Sequence, residues 1–124
     1  MYKVDIGKKF AQEYLNFPSE DKKKIREFIS HVQVNGLKNL DGKISPSCKV
    51  PFETHERHLK ISFARRHKLW HYHIGIPEYK QSRCGRYLTS EYVLHYQKFS
   101  MENIKIVDFS AHPPFNLPQN HYLN

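Results

Sequence analysis

The sequence predicts an α+β domain: an N-terminal strand and two helices packed on one face of a mainly antiparallel sheet of about four to five strands. Three observations predict it. Apolar residues recur at helical spacing from Phe10 to Val34 and switch to strict alternation from His58 onward. Runs of helix precede runs of strand instead of alternating with them, which argues against a parallel βαβ sheet. The 124 residues, 39% hydrophobic and 14% aromatic, suit one domain with its own core. That domain is placed at residues 1–115, with a short, loosely held tail at 116–124.

Tyr2 to Ile6 alternates and reads as the first strand, broken by Gly7. Phe10, Tyr14, Leu15 and Phe17 follow at helical spacing. Pro18-Ser19-Glu20-Asp21 has the form of a helix start, with Ser19 as N-cap and two acids where the helix dipole favours them. The second helix then runs from about Glu20 to Val34, with Ile25, Phe28, Ile29 and Val32 as its apolar stripe, and Asn35-Gly36 as its stop. Gly36 to about Glu56 lacks periodicity and reads as a long connecting loop.

From His58 the period is two. Leu59, Ile61 and Phe63 point one way, and His58, Lys60, Ser62 and Ala64 the other. Arg65-Arg66 stands near a turn. The next strand, Lys68 to Ile76, puts Trp70, Tyr72 and Ile74 on one face and Leu69, His71 and His73 on the other. Pro77 ends it. Glu78 to Arg86 is a polar loop, Tyr87 to Phe99 a long strand, and Ile104 to Phe109 the last strand. The sheet face away from the helices is expected to be open to solvent or a ligand.

Lys and Arg number 20 against 12 acids, for a net charge of +8 and a pI near 9.5, with nine histidines besides. A small domain this basic favours a polyanion, either nucleic acid or an acidic protein; the plainer reading is a merely basic surface. Cys48 and Cys84 lack metal or disulfide spacing and read as free thiols. No stretch approaches the roughly 18 apolar residues of a membrane span, and MYKVDIGKKF does not resemble a signal peptide. A soluble cytoplasmic protein without membrane contact is expected. Phosphate-binding glycine loops, dinucleotide fingerprints and nucleophile elbows are missing from the sequence, so those enzyme classes gain no support.

Arg57, His58, Lys60, Arg65, Arg66, His67, Lys68, His71 and His73 crowd into one predicted hairpin. Cations there can neutralise phosphates, and Tyr and Trp can stack on unpaired bases. Cleavage of RNA without metal needs a base for the 2′-hydroxyl, an acid for the leaving 5′-oxygen and a cation for the phosphorane. Histidine suits either proton task near neutral pH. His112, past the last strand, and His67 and His71 on the hairpin are the candidates, with Lys60, Arg65 and Lys68 as the nearest cations. His31 and His121 read as bystanders and His95 as either. Metal binding is the competing use: His55 and His58 are three apart, and His71-x-His73 shares a strand face. No cysteine pair or HExxH pattern accompanies them, and neither metal nor cofactor is expected.

The segments Arg57-His58-Leu59-Lys60-Ile61 and Arg65-Arg66-His67-Lys68-Leu69-Trp70-His71-Tyr72 resemble the central hairpin of RelE/ParE superfamily toxins, of the RelE, YoeB and YafQ kind. Ile106 to Phe115, with Ser110-Ala111-His112-Pro113-Pro114-Phe115, is similar to their closing strand with its terminal histidine and aromatic. The resemblance implies a RelE-like fold and the toxin of a type II toxin–antitoxin system. Its activity would be that of a metal-independent endoribonuclease, an mRNA interferase, cutting mRNA, commonly on the ribosome, and silenced by a cognate antitoxin. By the same resemblance His112 is the general acid or base, and Lys68 stands where those toxins have a transition-state arginine. Lys60 binds phosphate, His67 occupies a second catalytic position, and Phe115 is the closing aromatic. His71 joins the catalytic set, and Arg65, Arg66 and His73 join the RNA-binding set. This chain departs from the pattern in a longer segment between Ile76 and Phe99 and in Lys68, which lacks the guanidinium fork. A ParE-like toxin acting on DNA gyrase and a non-catalytic RNA-binding module are the alternatives.

Overall fold

The computed structural model describes residues 2–112 and 116–124. Its core is a five-stranded sheet in the order β1-β7-β6-β3-β2. The strands are β1 (Lys3–Ile6), β2 (Ile44–Pro46), β3 (Leu69–Ile76), β6 (Tyr92–Ser100) and β7 (Asn103–Ala111). β1 pairs parallel to β7, and every other neighbour in this sheet is antiparallel. β4 (Lys80–Gln81) and β5 (Leu88–Thr89) form a separate two-stranded ribbon inside the connection from β3 to β6. The α+β class and the mainly antiparallel sheet are as the sequence predicts.

Helices α1 (Lys8–Tyr14) and α2 (Ser19–Asn35) lie on one face. Phe10, Ile25, Phe28 and Val32 bury against Tyr72, Ile74, Leu94, Tyr96, Ile104 and Ile106. Alternation along β3 and β6 supplies this layer, and the Phe28 ring stacks on Tyr72 at 4.9 Å. Ser19 is the first residue of α2 and not its N-cap; Pro18 takes that place, with its carbonyl accepting the Lys22 N–H. Gly36 closes the helix at φ 69, a conformation that suits a residue without Cβ.

The largest departure from expectation is α3 (Arg57–Arg66), which replaces the first strand of the predicted hairpin. Leu59-x-Ile61-x-Phe63 satisfies a period of two, but Lys60, Phe63, Ala64 and His67 also follow helical spacing. The helical pattern is the one that buries surface: Ala64 is 1% exposed and packs with Leu69 and Val107. The Phe63 and His67 rings meet at 4.5 Å, as i and i+4 neighbours do. Arg65 and Arg66 in the last turn complement the helix dipole.

The sheet face opposite α1 and α2 is therefore not open throughout. α3 and the C-terminal segment cover one end of it, with Phe63, Leu117 and Leu123 packed around Ala64, Leu69 and Val107. The tail is held. The Asn124 carbonyl accepts the Lys8 N–H at 3.0 Å, Lys105 Nζ reaches the Leu123 carbonyl at 2.7 Å, and Lys9 Nζ sits 3.4 Å from the Tyr122 ring centre. The expected loop at 36–56 contributes β2, and the expected long strand from Tyr87 is divided into β5 and β6. Among the described residues no helix is long and apolar enough to cross a membrane.

A cluster of four imidazoles as the candidate site

The rest of that sheet face carries histidines. Alternation along β3 places His71 and His73 on it, two residues apart. β6 sets His95 directly opposite His71 in the register. His112 follows the last residue of β7, and its N–H bonds to the Glu91 carbonyl, which fixes the end of β7 beside the start of β6. Ring centres then lie 5.3 Å apart for His71 and His112, 5.7 Å for His73 and His112, 5.7 Å for His71 and His73, and 6.2 Å for His71 and His95. His71, His73 and His95 are 5–6% exposed, while His112 is only partly buried and forms the outer side of the cluster.

Two serines orient the inner rings. The hydroxyl of Ser47, just after β2, lies 3.0 Å from His71 Nδ1. Ser90, just before β6, meets His73 Nδ1 with both backbone groups, its carbonyl at 3.0 Å and its N–H at 3.1 Å. The imidazole tautomer decides which of these two bonds forms. His95 Nε2 is 2.8 Å from the Ser110 hydroxyl, and among the described residues its buried Nδ1 has no hydrogen-bond partner.

The electrostatics disfavour charge on the three inner rings. Burial, then the charges of His95, His112 and His73 and of Lys43, push His71 down to about 3. Burial and His112 push His95 down to about 3 as well. His73 is lowered by burial, against a bond to Ser90 that raises it, with His112 and Lys43 adding to the depression. Protonating any one ring raises the cost of protonating the next.

The structure gathers His71, His73 and His112 from the predicted site residues. It does not bring His67 or Lys68 to them. The His67 ring packs on Phe63, and its carbonyl accepts the Gln97 side-chain amide. Lys68 Nζ lies over the Phe99 ring at 5.9 Å, at the far end of β3. A strand rise of about 3.3 Å per residue puts its Cα roughly 10 Å from that of His71. Lys60 lines a separate cavity with Asp108, Ser110 and Asn116, and Arg65 and Arg66 are exposed on α3. The crowd of cations expected on a two-stranded hairpin thus stands on a helix that flanks the imidazoles. His55 and His58 are exposed and apart from the cluster. Phe115, with Pro113 and Pro114, lies outside the described residues.

Comparison with the models of known protein families, with curated proteins and with solved structures finds no match. What the site can do follows from its own chemistry.

Several participants escape a reading of the sequence alone. His95 was legible as a strand residue but not as the partner of His71, because register between distant strands is not a local property. Lys43 lies in the aperiodic segment 36–56, yet its carbonyl accepts the His73 N–H and its charge acts on His71 and His73. Beside it Lys43, Arg86, Tyr87 and Leu88 line a shallow cavity, with the Lys43 Nζ 5.0 Å from the Tyr87 ring centre. Ser47 carries no pattern at all.

Proposed function

We propose that this chain is an RNA-cleaving toxin of the RelE/ParE kind, acting by general acid–base catalysis with imidazoles. The observation that carries the reading is the meeting of His112 with His71 and His73 on one sheet face, at ring separations of 5.3 and 5.7 Å. Transesterification of RNA needs two proton carriers close enough to serve one phosphodiester. One takes the 2′-hydroxyl proton as the 2′-oxygen attacks phosphorus. The other protonates the 5′-oxygen as its bond to phosphorus breaks, leaving a 2′,3′-cyclic phosphate and a 5′-hydroxyl.

His112, on the outer side, and His73 fit these two tasks. His71, held near 3 by its burial and neighbours, is too weak a base at neutral pH and acts as a positioning residue. Lys43 supplies the cation for the phosphorane, in place of the Lys68 suggested by the resemblance. Arg65 and Arg66 on the exposed side of α3, Lys60 at its flank, and a net charge of +8 supply a track for the RNA backbone. An acidic antitoxin segment would dock on the same basic surface, its approach sped by long-range attraction.

The test is purified protein with a labelled RNA oligonucleotide and with ribosomes carrying mRNA, both in chelator. Discrete cuts ending in a cyclic phosphate are expected, with His112→Ala lowering the rate about 100-fold or more. Undiminished toxicity of His112→Ala in cells would end the nuclease reading. RNA binding without cuts would leave a non-catalytic module, and inhibited gyrase a ParE-like toxin.

A further inference from the structure

We propose that His71, His73 and His112 form a binding site for one borderline transition-metal ion of the zinc class. This inference stands on the geometry of the cluster and does not rest on the RNA reading.

The three side chains each offer one ring nitrogen, and these atoms all lie within 4.8 Å of one another. Zinc bound at about 2.0–2.1 Å in a tetrahedron needs ligand nitrogens about 3.3 Å apart. Closing that gap asks for modest rotation of the rings, and His112, on the partly buried outer side, is the ring with room to move.

The surroundings of the two inner rings suit metal ligation. A ligating histidine commonly donates its other ring N–H to an oxygen, which fixes the tautomer and presents the remaining nitrogen. Ser47 Oγ stands ready for that bond at His71 Nδ1, and the Ser90 carbonyl at His73 Nδ1, each at 3.0 Å. In both rings Nε2 is then the ligand atom.

The donor set also selects the ion. Three imidazoles without a carboxylate suit Zn²⁺, Co²⁺, Ni²⁺ or Cu²⁺ and give Mg²⁺ or Ca²⁺ nothing to bind. Because no acid among the described residues joins the trio, the bound ion would keep its full charge. Lys43 close by adds to it, so the fourth ligand should be an anion, hydroxide or a phosphate oxygen. Where the cleavage reading also holds, a bound Zn²⁺ takes the lone pairs that His112 and His73 need for proton transfer, and it silences the enzyme.

The experiment uses the full chain without a histidine tag, stripped by chelator and titrated with Zn²⁺ in a calorimeter and with Co²⁺ under visible absorption. One ion per chain is expected, with the intense Co²⁺ bands of a tetrahedral site. His112→Ala should weaken Zn²⁺ binding at least 100-fold, whereas His55→Ala and His58→Ala leave it unchanged. Binding equally strong in His112→Ala, or no binding by the wild-type chain, would overturn the proposal. Circular dichroism of each variant separates loss of the site from loss of the fold. If His71→Ala does not fold, His112→Gln and His73→Gln carry the test. Cleavage of RNA in chelator is measured separately, so either reading can fail alone.

Discussion

Ser47 Oγ and His71 Nδ1 lie 3.0 Å apart in the interior, from positions 24 residues apart in the chain. Ser47 is wholly buried, and its N–H also bonds to the Leu69 carbonyl, so the hydroxyl is fixed to the strand that carries the imidazole. The pair sets which nitrogen of His71 faces the other histidines.

Ser47→Ala therefore removes an orienting contact without touching the cluster. It leaves Nδ1 buried and unpaired by Ser47, at a stability cost of about 1–3 kcal/mol. Zn²⁺ affinity should fall about 10-fold, as for other outer partners of a ligating histidine. Denaturant titration and calorimetry read the two effects; unchanged affinity in a folded Ser47→Ala protein would show that the bond orients nothing.

Acid should unfold this protein early. In the unfolded chain His71 and His95 titrate near 6.5; in the folded chain both are held down to about 3. The unfolded state thus binds more protons across that interval. Stability present above pH 6.5 is lost as pH falls toward 3, at a slope on the order of 1 kcal/mol per pH unit for each histidine. Denaturant midpoints at pH 7, 6 and 5 check this. His95→Gln should flatten the slope, and a wild-type midpoint independent of pH would contradict the burial argument.

Gly42 admits no side chain. A Cβ there would stand 1.8 Å from the His73 carbonyl oxygen, and backbone cannot step aside as a side-chain end can. Gly42→Ala should cost about 3 kcal/mol or more and pull the chain beside β2 away from His73. The fall in melting temperature, with loss of Zn²⁺ binding, is the readout.

The helical state of α3 is tested at exposed Ser62. In a helix interior Ser62→Pro costs about 3 kcal/mol, and Ser62→Ala gains a few tenths. In a strand alanine would bring no such gain. Melting temperatures of the two variants distinguish the cases.

Much of the frame was legible in the sequence. Trp70, Tyr72 and Ile74 against Leu69, His71 and His73 is a clean alternation, because one of those faces packs against α2. The helix stop at Gly36 was written in its neighbours. The segment from Arg57 to Arg66 misled because ten residues fit two periods at once, and the choice was made by Leu69 and Val107, which lie outside it. A bulge between His95 and Tyr96 in the pairing with β7 leaves Val107 without a direct partner in that register. Such a shift has no signature along the chain. The same holds for the site: His71 and His73 were visible as a pair, but Ser47, Ser90, Lys43 and His95 join them only through tertiary contact.

β2 is three residues long and ends at Pro46, whose ring removes an N–H from the rim of the sheet. Just before it, the Lys43 N–H is already taken by the Leu88 carbonyl of the small ribbon. A strand arriving from another molecule would find almost no ladder to continue on this side. The protein can thus carry a five-stranded sheet at high concentration without that border seeding fibres.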